Sequence, residues 1–226
     1  MFKLLVQLGV LGLTAATAMA SETKIIQDGP FSAGNGLSIT VRAEGPATRE
    51  TPLQAVCFFE HKEGGDLLSG GTETFNEKMG GLIKHLRDNG QFKGNELETL
   101  LITPLTGTVP AKKILLIGLG DPKTFTAERM QKVGRVAVRE ALKAGVEKFS
   151  FSPNVTDAGV KSIPVREFDQ KVIEGVLEGF NTQLQLNRQR LVPNVVLHEF
   201  TLEAGAANVS GASEAVKSAI ALQKSQ

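Results

Sequence analysis

Three histidines, one cysteine and a scatter of serines and carboxylates are the side chains from which this sequence could build a reactive centre. The histidines stand at positions 61, 85 and 198. His198-Glu199 opens like the helix of a zinc protease, but Leu202 occupies the place one turn on where a second histidine ligand must stand. The segment also alternates like a strand, so the zinc reading fails. Cys57 lies inside the apolar run Leu53 to Glu60 with no basic neighbour in sequence, which predicts an inert core thiol. Ser69 precedes Gly70-Gly71, but no glycine stands two residues before it, so the nucleophile-elbow pattern is not met. The carboxylates form no defensible acid/base pair. No catalytic residue, no metal ligand and no cofactor is expected.

Binding leaves a clearer trace. The turn Gly118-Leu119-Gly120-Asp121-Pro122 follows an apolar strand and leads toward a helix start at Thr126. Main-chain N–H groups at such a start could face an anion. Gly118, Gly120, Asp121 and Thr126 are therefore the candidate ligand-binding residues, for an anionic ligand. The dinucleotide pattern needs a third glycine where Lys123 stands, and a plain tight turn is the competing reading. A second glycine-bearing connection, Gly64 to Thr74, also qualifies as a crevice loop. Arg129, Lys132, Arg135, Arg139 and Lys143 form a basic stripe on the helix that follows. Glu128 and Glu140 dilute it, and it reads as a solvated face.

These residues need a frame. Leu37, Ile39 and Val41 alternate with Ser38, Thr40 and Arg42, the period of a half-buried strand. Leu53 to Glu60 and Lys113 to Ile117 are continuous apolar runs, suited to strands covered on both faces. Thr99 to Leu105, Glu147 to Ser152 and Val195 to Glu203 are further strand candidates. Phe75, Met79, Leu82, Ile83 and Leu86 recur at helical spacing and predict one helix, ended by Asn89-Gly90. Thr126 can cap a helix running to Ala144, with Met130, Val133, Ala137, Ala141 and Leu142 as its buried stripe. Phe168, Val172, Ile173, Val176, Leu177, Phe180 and Leu184 mark a long helix. Gly175 and Gly179 lie one turn apart on it, where a neighbouring element can approach closely. Ser213 to Leu222 closes the chain as a helix. Strands alternating with helices predict an α/β layered domain with a mixed sheet.

The chain has 226 residues, 25 basic against 24 acidic side chains, and a hydrophobic fraction of 41%. That is a globular composition without a net pull toward nucleic acid. Lys3, the apolar run from Leu4 to Leu13 and Ala18-Met19-Ala20 have the pattern of a secretory signal peptide cut between Ala20 and Ser21. The run is shorter than the roughly 20 residues that span a bilayer, which disfavours a membrane anchor. Residues 21–36 read as a flexible leader, and residues 37–226 as the folded domain, secreted or periplasmic. No membrane association is expected after cleavage.

Ile114 to Gly145 (ILLIGLGDPKTFTAERMQKVGRVAVREALKAG) closely resembles the N-terminal domain of the leucyl aminopeptidase family. Phe75 to Ile102, with its FKGNELETLLI, and Ile173 to Phe180 (IEGVLEGF) resemble it as well, and Leu37 to Glu60 fits its first two strands. The resemblance implies a macrodomain-like α/β/α fold with no catalytic residue. In that family the chemistry belongs to a following domain that binds two metal ions and carries the signature NTDAEGR. Here Asn181-Thr182 is followed by Gln183-Leu184, so no catalytic or metal-binding residue carries over. The implied function is an exported, non-catalytic binding or interaction domain with a regulatory or assembly role. It would pair with itself or with an aminopeptidase subunit. The alternative is a macrodomain-like enzyme or binder acting on a nucleotide or other anionic small molecule.

Overall fold

Residues 25–61, 68–157 and 159–225 are described by the structure, a computed structural model. Residues 1–24, with the expected signal-peptide pattern, lie outside them. Seven strands form one sheet: β1 (Gln27–Gly34), β2 (Leu37–Arg42), β3 (Gln54–Phe58), β4 (Thr99–Ile102), β5 (Ile114–Gly118), β6 (Lys148–Ser152) and β7 (Glu199–Glu203). Their order across the sheet is β1-β2-β7-β6-β3-β5-β4. The five inner strands run parallel, and β1 and β4 close the two edges antiparallel to β2 and β5. The sheet is therefore mixed.

Periodicity decides which face each residue serves. Leu37, Ile39 and Val41 of β2 join Ala55, Cys57, Leu115, Ile117, Phe149, Phe151, Phe200 and Leu202 on one buried face. Three helices cover that face: α3 (Ala127–Lys143), α4 (Val165–Arg188) and α5 (Val209–Lys224). On the opposite face, α1 (Gly70–Lys78) and α2 (Leu82–Asp88) cover Val56, Phe58, Ile114 and Leu116 with Phe75, Met79 and Ile83. The result is an α/β/α three-layer arrangement. Among the described residues, the second helical layer packs on the β3–β5–β4 end of the sheet. Over β6 and β7 that face is polar, with Ser150, Ser152, Thr201 and Glu203, and the β2–β3 connection lies on it. Arg49 of this connection reaches the Ser150 hydroxyl at 3.2 Å and Thr201 Oγ1 at 3.5 Å.

Two expectations change. Residues 27–34 are not part of a loose leader. They form β1, whose backbone pairs with the edge of β2 while most of its side chains stay exposed. An edge strand with one neighbour needs no apolar alternation, so its sequence carries no strand signature; Ala33 alone is fully buried. The single helix expected around Phe75 to Leu86 is two helices. Gly80 and Gly81 take φ values of 66° and 80°, a left-handed pair that ends one helix and starts the next.

The α3–α4 contact bears out the expectation for Gly175 and Gly179. A β-carbon at Gly175 would fall 1.9 Å from the Gln131 carbonyl oxygen, and one at Gly134 would fall 2.3 Å from that of Val172. Small residues on both helices let the two backbones touch.

Candidate functional site at the strand ends

Because β2, β7 and β6 are parallel, their carboxyl ends lie along one rim of the sheet, where the chain must turn away into loops and helices. A cavity of about 580 Å³ opens there. Its walls are the connection after β2 (Glu44, Pro46), the connection after β6 (Asn154, Asp157), Glu203 at the end of β7, and Phe168 and Asp169 in the first turns of α4. This is within the size range of small-molecule sites.

The wall is acidic. Four carboxylates line it, Glu44, Asp157, Asp169 and Glu203, with no lysine or arginine among the described lining residues. Two are already engaged. Glu44 Oε2 sits 3.0 Å from Arg42 Nε and 3.7 Å from Arg49 Nη1. Asp157 Oδ2 accepts the Gly71 N–H at 2.9 Å, and its main-chain oxygen accepts the Ser69 hydroxyl, so the start of α1 is latched to the crevice.

The other two each keep one oxygen without a partner. Asp169 is 2% exposed and Oδ2 has no hydrogen-bond partner. Burial pushes its carboxyl up to about 8. Glu203 is 3% exposed; Oε2 accepts from Gln54 Nε2 at 3.1 Å, and Oε1 is unpartnered. Burial is the main reason that its carboxyl also rises to about 8; Glu44 adds to the shift, while Gln54, Arg49 and Ser152 oppose it. Asn154 accepts the Ser152 hydroxyl at Oδ1 (2.8 Å) and leaves Nδ2 unpartnered. Its φ of 51° is left-handed, a conformation that few residues besides glycine and asparagine adopt. Buried polar atoms are normally satisfied, and three of the unpartnered ones belong to residues of this wall.

The residues singled out from sequence lie elsewhere. Gly118, Gly120, Asp121 and Thr126 do not line this crevice. The Gly118 N–H donates to Glu98 O at 2.8 Å and the Gly120 N–H to Gly94 O at 2.8 Å. A β-carbon at Gly118 would sit 1.9 Å from Asn95 O, so the segment 94–98 roofs the turn. Asp121 Oδ1 takes the Lys123 N–H at 2.9 Å. The Thr126 hydroxyl goes to the Glu128 carboxylate, which also takes its own N–H and is lowered by both. The donors that were to face an anion are spent inside the fold, and the glycines serve close backbone packing. The described part of the other glycine-bearing connection reaches the crevice through Gly71, and its residues 64–67 lie outside the described residues.

Four of the five basic side chains in the stripe on α3 meet carboxylates. Arg129 and Lys132 meet Glu96 at 3.3 and 3.0 Å, Arg135 meets Glu178 at 3.1 Å, and Lys143 meets Glu140 at 2.8 Å. Cys57 is buried, and desolvation pushes its thiol well above the usual value. His61 lies 3.7 Å from Asp88, and His85 contacts Asn89. Among the described residues no group of three or more histidine, cysteine, aspartate or glutamate side chains could hold a metal ion.

Sequence reasoning missed Asp169, Glu203 and Asn154. Asp169 did leave a signal: an acid at the head of the apolar stripe Val172, Ile173 and Val176, at i+3, i+4 and i+7. Glu203 left none, because a charged residue on the alternate face of a strand ordinarily points to water.

A mixed seven-stranded sheet in this order, between α3, α4 and α5 on one side and α1 and α2 on the other, defines a macrodomain-like α/β/α protein. A mutant macrodomain of Oceanobacillus iheyensis, solved with ADPR, superimposes with a TM-score of 0.60 at 14% identity, covering 88% of this chain and 100% of that one. A mutant tomato leucine aminopeptidase gives a TM-score of 0.62 at 15% identity, over 81% of this chain and 35% of that one. Residues 55–181, just over half of the chain, match the N-terminal domain of the cytosol aminopeptidase family, and the chain belongs to that family. A probable cytosol aminopeptidase of Alkaliphilus metalliredigens is 32% identical over 136 residues, which are 57% of this chain and 26% of that protein. The chain thus matches about a quarter of that relative's length.

Proposed function

We propose that this protein is an exported, non-catalytic binding domain that takes a small ligand in the crevice at the ends of β2, β7 and β6. The crevice carries the reading: a cavity of about 580 Å³ bordered by three side chains with unpartnered buried polar atoms. A regulatory or assembly role would follow from ligand occupancy, since Asp157 ties the crevice to the start of α1. The non-catalytic reading draws on the family match, which falls in the N-terminal domain of the cytosol aminopeptidase family. Export is supported by the signal-peptide pattern of the first twenty residues.

The alternative is a nucleotide or other anionic ligand, the chemistry suggested by ADPR in the Oceanobacillus iheyensis macrodomain. Fold likeness alone does not transfer a ligand. The described wall carries four carboxyl groups, those of Glu44, Asp157, Asp169 and Glu203, and no lysine or arginine to meet a diphosphate.

Two assays test the proposal. Leucyl p-nitroanilide should not be turned over with or without Mn²⁺ or Zn²⁺; metal-dependent turnover that is lost when carboxylates of this chain are replaced would refute the non-catalytic assignment. A library of amines, alcohols, peptides and nucleotides, screened by NMR, should give at least one ligand that shifts Asn154, Asp169 and Glu203. Hits mapping only to other surfaces would remove the crevice from consideration.

A further inference from the structure

We propose that the open edge of β4 is a dimerisation surface, on which β4 of a second copy of this chain pairs antiparallel about a two-fold axis at Leu101. None of the residues involved lines the crevice, and the pairing does not depend on a ligand there.

The main chain of β4 is half used. Its one neighbour in the sheet is β5, and no described strand lies beyond it. The Leu119 N–H donates to Phe58 O and the Gln54 N–H to Lys113 O, so the odd-numbered residues of β5 turn their main-chain groups toward β3. The even-numbered ones turn toward β4, as the bond from the Gly118 N–H to Glu98 O shows. Leu100 stands opposite Leu116 and Ile102 opposite Ile114. The even residues of β4 therefore bond to β5, and Thr99 and Leu101 direct their N–H and C=O groups outward. Such a row is a template for another strand.

The two edges of the sheet are guarded differently. Along β1 stand Asp28, Pro30 and two register irregularities, devices that deter strand addition. From Thr99 to Ile102, β4 has no charge, no proline and no irregularity. Exposure alternates from there to Leu105, with Thr99, Leu101, Thr103 and Leu105 on the outside. Leu101 is 47% and Leu105 79% exposed. Pro104 falls in the even-numbered row that faces β5, so its missing N–H leaves the outward row intact.

The sequence of the edge selects the occupant. Antiparallel pairing centred on Leu101 sets it against Leu101 of the second copy, Thr99 against Thr103, and Leu97 against Leu105. Each outward position meets its own kind, and Glu96 and Glu98 face Thr106 and Pro104 rather than another acid. Centring on Leu100 or Ile102 instead sets Thr99 against a leucine. A segment that is its own complement specifies an isologous contact, that of a two-fold dimer.

Sedimentation velocity of the purified chain, over a roughly hundredfold concentration series, should show monomer passing to dimer by mass action and nothing larger. Hydrogen exchange of residues 97–105 should slow as the dimer fills, with β1 unchanged. Leu101→Lys sets two like charges opposite each other and should weaken dimerisation at least about tenfold. Leu105→Lys, just past the strand, should weaken it too and serves if Leu101→Lys fails to fold. Leu222→Lys replaces an exposed leucine of α5 and should leave the dimer intact. Directly opposed residues have Cα atoms about 5.5 Å apart, within disulfide reach. Oxidised Leu101→Cys should therefore crosslink to its own copy, whereas Thr99→Cys should crosslink only to Thr103→Cys. Cys57 is buried and does not compete. A chain that stays monomeric throughout the series overturns the proposal, as does a dimer that survives both lysine variants at β4. Assemblies larger than a dimer, equal weakening by Leu222→Lys, or Thr99→Cys crosslinking alone overturn it as well. None of these outcomes bears on ligand binding in the crevice, which the NMR screen tests separately.

Discussion

Gly175 of α4 lies against the main chain of Gln131 in α3, so close that a β-carbon at 175 would stand 1.9 Å from the Gln131 carbonyl oxygen. Main chain is the obstacle, so no rotamer change can relieve the clash. The helix pair would have to move apart, and with it the wall that carries Asp169.

Gly175→Ala should therefore destabilise the protein by about 3 kcal/mol, the upper end of ordinary overpacking. For a chain of this size that is a fall in Tm of roughly 6–12 °C. Gly211→Ala on α5 is the control, since a β-carbon there meets nothing within 4 Å; it should change stability by less than about 1 kcal/mol. Equal melting of the two variants would contradict the α3–α4 geometry.

Stability should decline as pH rises through the neutral range. Asp169 and Glu203 ionise near 8 in the fold, against 3.8 and 4.5 ordinarily. Between about pH 4 and 8 the folded state holds protons that the unfolded chain has released, so the contribution is fully present below about pH 4 and is lost as pH climbs through 8. Urea unfolding at pH 5 and pH 9 should show the parent losing more than Asp169→Asn, by at least about 1 kcal/mol. A parent and variant with the same pH slope would mean that Asp169 is not buried as the structure places it.

Cys57 should resist thiol reagents in the native state. It is buried within β3, and desolvation disfavours the thiolate that reacts. Labelling should appear only in denaturant, at the rate of global unfolding. Fast native labelling would show that β3 is open to solvent.

Export should leave a defined terminus. Mass spectrometry of the exported protein is expected to give a chain beginning at Ser21, from the cleavage pattern Ala18-Met19-Ala20. Membrane-bound material with Met1 intact would favour the anchor reading instead.

The sequence determined the elements whose side chains answer to one periodic environment. The alternation in Leu37 to Val41, the apolar run of β5 and the stripe Met130, Val133, Ala137, Ala141 and Leu142 each record burial, and all stand buried where expected except Leu142, which is half-buried. The glycines of α4 recorded a close approach, and the contact with α3 realises it. Local chemistry could not determine β1, because an exposed edge strand is defined by the hydrogen bonds of its neighbour. Nor could it separate α1 from α2 before the left-handed Gly80-Gly81 pair was seen. The candidate site shows the same division most clearly. Gly118 and Gly120 looked available because their covering segment, 94–98, precedes them by some twenty residues, and only folding lays it across their N–H groups. Asp169 and Glu203 are 34 positions apart on a helix and a strand, and nothing local to either marks a shared cavity. Parallel pairing of β2, β7 and β6 brings those strand ends together, and that long-range packing buries two ordinary carboxyl groups in the wall of one cavity.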